Sequence, residues 1–149
     1  MKKLLFFFLL FNHALILASP PLHPKQVVEI VLKALSKRDM HTYYTHLTLD
    51  SRKKLYQSLM HKVFLMKKGT QNLKIQKEME DLLNLSKEDF FHQVGDILPA
   101  FYIPIYKKAK VVKFSMAENI AQVIFKLEHR FFPVSLIIEE DHWRMVHLE

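Results

Sequence analysis

From residue 109 to 148, apolar side chains recur at every second position, and that period of two constrains the fold more than any other feature of the chain. Val112, Phe114 and Met116 alternate with Val111, Lys113 and Ser115. Ala121, Val123, Phe125 and Leu127 alternate with Gln122, Ile124, Lys126 and Glu128. Phe132, Val134, Leu136 and Ile138 continue the pattern, and a short apolar segment from Trp143 follows an acidic turn at Glu139, Glu140 and Asp141. Successive side chains of a strand point to opposite faces, so each first-named set shares one face of a sheet. That greasy face needs a cover, and the residues before Lys107 carry helical spacing. The expected fold is therefore α+β, with N-terminal helices packed on a C-terminal four-stranded antiparallel meander. Pro133 cannot donate to a sheet ladder and is expected at a bulge or beside a gap in pairing.

Five helices are expected upstream. Pro24 suits a first helical turn, and Val27, Val28, Val31, Leu32 and Leu35 recur at steps of three and four over residues 25–37. Asp39 can cap a short second helix carrying Tyr43, Tyr44 and Leu47. A third starts at residues 48–51 and buries Leu55, Leu59, Val63 and Met66; Lys67 and Lys68 suit its last turn and Gly69 a left-handed cap. A fourth spans 73–83, with Ile75, Met79, Leu82 and Leu83 on one side. Ser86 opens a fifth, Asp89 standing as its capping partner and Phe90, Val94, Ile97 and Leu98 supplying its face, before Pro99 ends it. Pro104 keeps the next segment extended.

Residues 1–18 read as a secretory leader: Lys2 and Lys3, an apolar run over 4–11 that resumes at Ala14, and Ala18 before the expected cut. The run is short for a bilayer span and is broken by Asn12 and His13. The expected destination is the periplasm or the medium, and residues 19–149 form the expected single domain. The chain has no cysteine, so disulfides, thiolate metal sites and thiol nucleophiles are excluded, and the fold stands on packing. Its two glycines argue against a glycine-rich phosphate loop. The formal charge of +7 favours acidic partners.

Two segments carry a resemblance. "VVEIVLKALSKRDMHTYYTHLT" (27–48) and "AQVIFKLEHRFFPVSLIIEEDHWRMV" (121–146) resemble the opening helices and the closing strands of nuclear transport factor 2-like domains. The resemblance implies a curved antiparallel sheet wrapped around helices, with a pocket at the wide end. It also implies kinship with ketosteroid isomerases, dehydratases, polyketide cyclases and plain association modules. The chain departs from that pattern over 51–98, which reads as helical throughout.

An isomerase-like site would need a buried carboxylate base with acid and tyrosine oxyanion donors, and Asp39, Tyr43, Tyr44 and Tyr102 are the available groups. Asp39 is better explained as a helix cap, so no catalytic residue is assigned. For a small apolar ligand, Tyr43, Tyr44, Tyr102, Phe125 and Trp143 are the expected pocket lining. Nine histidines invite a metal site, but His41 and His46 fall on different sides of a helix, and His129, His142 and His147 could meet only through strand pairing. No metal and no cofactor are expected. Hydrolase, P-loop and dinucleotide fingerprints are absent.

Lys107, Lys108, Lys110 and Lys113 form one basic cluster and Arg52, Lys53 and Lys54 another. Neither interleaves exposed aromatics, so no nucleic acid is expected. The reading is an exported, non-enzymatic domain that binds a partner protein or a small apolar ligand. The alternatives are an isomerase- or dehydratase-like enzyme, or a basic module in weak contact with an anionic membrane surface.

Overall fold

A computed structural model describes residues 21–97 and 106–146 of the chain. The leader-like segment 1–18, Tyr102, the prolines at 99 and 104, Leu98 and His147 lie outside the described residues.

Five helices precede a four-stranded antiparallel sheet of order β1-β2-β3-β4, which is the expected α+β arrangement. The helices are α1 (Pro24–Ser36), α2 (Met40–Thr45), α3 (Leu49–Gly69), α4 (Leu73–Leu83) and α5 (Lys87–Ile97). The strands are β1 (Lys110–Ala117), β2 (Ile120–Leu127), β3 (Arg130–Glu139) and β4 (His142–Met145). Each helix starts where a side chain can satisfy free backbone N–H groups. Asp39 Oδ1 accepts from the Thr42 N–H at 2.9 Å. Thr48 Oγ1 accepts from Ser51 N–H, and Asn72 Oδ1 from Lys74 and Ile75. Ser86 and Asp89 hold each other as a capping pair. Pro24 stands in the first turn of α1, where its missing N–H costs nothing.

Ala121, Val123, Phe125, Val134, Leu136 and Met145 are buried on the inner sheet face. α1 lies across this face and packs on β1, β2 and β4 through Val27, Val28, Val31 and Leu32. α2 packs on α1 and α5, where Tyr44 stacks on Phe91 (4.0 Å between centroids) and Phe91 meets Phe90 edge-on. The middle of the chain is helical to residue 97, as the departure from the nuclear transport factor 2-like pattern anticipated.

Five local expectations are corrected. The register of β1 on β2 shifts between Val111 and Lys113, so a bulge turns Val112 out to solvent and leaves Val111 and Phe114 against the core. Met116 is exposed where the edge strand outruns its helical cover. Met66 and Ile75 are also exposed rather than buried. Gly69 keeps an ordinary negative φ, and α3 ends instead at extended Thr70. Leu47 leaves the α2 face to form a parallel bridge with Met145. Pro133 pairs with Ile124 in β2, and on its other side the β3–β4 ladder runs only from Glu139 to Leu136, so it sits beside a gap in pairing.

Candidate functional site

α3 has 21 residues and is therefore about 30 Å long. It begins at the sheet, where the Glu139 carboxylate accepts from the Leu49 N–H at 3.0 Å, and carries its far end away from it. Leu55, Leu59 and Val63 bury one stripe, and α4 packs alongside through Met79 and Leu82. Beyond Val63 this cover stops. Phe64 (42% exposed), Leu65 (52%) and Met66 (43%) stand in solvent in consecutive positions, about 100° apart around the axis. Across the short turn at 70–72, Leu73 is 79% exposed, and Ile75 is exposed beside it. The tip of the α3–α4 hairpin is thus apolar on several sides at once.

Its charge is one-signed. Between His61 and Lys77 the sequence holds Lys62, Lys67, Lys68, Lys74 and Lys77 and no carboxylate. Lys68 lies over the Phe64 ring with its ammonium 4.5 Å from the centroid. Lys67 reaches back to Glu80 at 3.1 Å, and Lys74 approaches Glu78 at 4.0 Å, so the acidic partners sit on the sheet-ward side of the tip. Apolar residues at the end of a hairpin with lysines around them are suited to leaving water together while the ammonium groups stay in a polar layer.

Of the residues expected to line a ligand pocket, Tyr102 lies outside the described residues, and the other four are placed as follows. Tyr43 and Phe125 are core residues, Phe125 stacking on Phe132 at 5.2 Å. Burial pushes the Tyr43 phenol well above its ordinary range, with Tyr106 adding to the effect. Tyr44 is held between Phe91 and the Arg52 guanidinium, and Trp143 packs at the margin of the core opposite Ile138. Asp39 is engaged with the Thr42 backbone and hydroxyl. Burial works to raise its carboxyl, but those two hydrogen bonds and the charges of His41 and His92 bring it below the ordinary carboxylate range. Among the described residues no Asp or Glu is buried, so none supplies the buried carboxylate of an isomerase-like site.

An open groove of about 530 Å³ runs between α1 and the edge strand β1, floored by Leu32 and Val111 with Lys33, Lys107 and Lys110 along it. Lysines are a common guard on an unpaired sheet edge, and Glu29 offsets part of the charge here. The hairpin tip combines greater apolar exposure with a cluster of lysines, of which Lys67 and Lys74 have acidic partners in α4, and is the stronger site. Sequence periodicity missed it because Met66 and Ile75 continue the buried stripes of their helices. The available signal was the carboxylate-free run of 61–77 around three consecutive apolar residues. No family model, curated protein or solved structure matches the chain.

Proposed function

We propose that this is an exported, non-enzymatic domain that attaches peripherally to an anionic membrane surface through the tip of its α3–α4 hairpin. The observation that carries the reading is the exposure of Phe64, Leu65, Met66 and Leu73 within a run, 61–77, that holds five lysines and no carboxylate, two of those lysines pairing with Glu78 and Glu80 just beyond it. A protein groove receives one stripe of a helix, at steps of three and four. Phe64, Leu65 and Met66 point in three directions, and the boundary between headgroups and acyl chains accepts apolar groups from every side. Each lysine near an anionic surface adds about 1 kcal/mol of attraction. Among the described residues no helix is long and apolar enough to cross a membrane.

Cosedimentation with phosphatidylglycerol-containing vesicles tests this. The protein is expected to pellet with them at low salt and not with phosphatidylcholine alone, and to release as the screening length shrinks from about 10 Å to about 3 Å between 0.1 and 1 M salt. The double substitution Leu65→Ser/Leu73→Ser, at exposed positions, should weaken binding by about tenfold or more with an unchanged circular dichroism spectrum. Binding that ignores salt, or that survives this double substitution intact, would refute the reading.

A further inference from the structure

A second cluster lies where α2 meets α5, and it is independent of the hairpin tip. Glu88 and His92 are four residues apart on α5 and so share one side of it. His41, in the first turn of α2, stacks on His92 with ring centroids 3.9 Å apart and planes 12° from parallel. One donor atom from each of His41, Glu88 and His92 falls within 4.8 Å of the others.

The close approach has a cause. Gly95 lies three residues beyond His92, and a Cβ there would stand 2.1 Å from the Arg38 carbonyl oxygen. The missing side chain lets the turn between α1 and α2 press directly on α5, which brings the imidazoles face to face. That arrangement has an unfinished element: Nδ1 of His41 is buried without a hydrogen-bond partner. A buried polar nitrogen with no partner is costly, and two stacked imidazoles repel each other when both are protonated. A cation bound at the edge of the stack would take an in-plane lone pair from each ring and keep the two from being protonated together.

We propose that His41, Glu88 and His92 form a three-ligand site for a divalent first-row transition ion of the zinc class. Two imidazole nitrogens and one carboxylate oxygen are the donor set such ions take, whereas calcium and magnesium call for more oxygens. Donors 2.0–2.1 Å from a tetrahedral ion are about 3.4 Å apart. The triangle must therefore contract by up to about 1.4 Å, which side-chain rotation of the exposed Glu88 and His92 can supply. A three-ligand set leaves the fourth position to water or to a ligand from solution. His41 and His92 lie 51 residues apart in sequence, and only the packing of α2 on α5 joins them.

Titration of the purified chain with Co²⁺, read by visible absorption, followed by displacement with Zn²⁺, tests the site. One ion per chain with the intense bands of a low-coordinate cobalt centre is expected. His92→Ala and Glu88→Gln, both at exposed positions, should each lower the affinity tenfold or more while leaving the circular dichroism spectrum unchanged. His61→Ala and His129→Ala, at exposed histidines outside the cluster, should bind as the parent does. Absence of one-to-one binding at micromolar ion, or equal affinity in His92→Ala and the parent, would overturn the assignment.

Discussion

At the scale of single residues, Tyr43 is a core residue with a pH signature. Its phenol is pushed upward by burial, so the folded state favours the protonated form. An unfolded tyrosine ionises near pH 10, so Tyr43 contributes stability that is complete below that pH and is lost as pH rises above it. The slope from one such group approaches 1.4 kcal/mol per pH unit. Urea unfolding followed between pH 8 and 12 should show a steep alkaline loss that Tyr43→Phe flattens, and identical alkaline limbs in the two proteins would contradict the burial account. Other single residues were legible from sequence because their roles are local. Asp39, Thr48 and the Ser86–Asp89 pair act within three residues of chain, and spacing alone identifies them. The pairing of His41 with His92 bridges 51 positions and depends on how two helices dock, which no local period encodes.

At the scale of elements, the alternation that organises the C-terminal segment predicted the inner face of β2 and that of β3 as far as Leu136, and Ala121, Val123, Phe125, Val134 and Leu136 are buried there, whereas Ile138, expected beside them, is exposed. It mispredicted β1, because a single extra residue at the bulge inverts the parity on one side of it. Of the turns, composition marks only the acidic one at Glu140 and Asp141. Glu118, Glu128, Glu140 and Asp141 take positive φ in the three hairpin loops, with no glycine among them. The helix contacts turn on one glycine. Gly95 has no positive φ to explain it, so its role is the space it leaves for the Arg38 carbonyl. Gly95→Ala would add about 1 kcal/mol of helix propensity but force backbone atoms apart, at a cost of roughly 1–3 kcal/mol or more for overpacking. With a contact as short as 2.1 Å against backbone, the clash should win. The expected result is a net loss of about 2 kcal/mol and a melting temperature lower by roughly 4–8 °C. A melting temperature at or above the parent's would mean that α2 and α5 separate without cost.

At the scale of the whole molecule, one seam joins the helices to the sheet. The Met145 N–H donates to His46 at 2.8 Å and the Thr48 N–H donates to Met145 at 3.0 Å, so the α2–α3 link pairs with β4 like a short additional strand. Arg52 and Arg144 both donate to the Thr45 carbonyl oxygen. Burial lowers the Arg144 pKa from its ordinary value and the charge of Arg52 lowers it further, while Glu139 and Glu140 oppose both effects. Glu139 therefore serves the seam twice: its charge opposes that of Arg52 at the Arg144 guanidinium, and it accepts from the first N–H of α3 from 90 positions away. Loss of a helix-terminal acceptor of this kind costs about 1 kcal/mol, or roughly 2–4 °C in a chain of this length. Glu139→Ala tests whether that loss is local. Trp143, the single tryptophan, lies in β4 beside Ile138, so its fluorescence reports the sheet while far-ultraviolet circular dichroism reports chiefly the helices. If the seam makes one cooperative unit, both signals should shift together by the same few degrees. A fluorescence transition that moves down alone would mean that β4 detaches before the helices melt, and that the meander is bound to them more loosely than this network of hydrogen bonds implies.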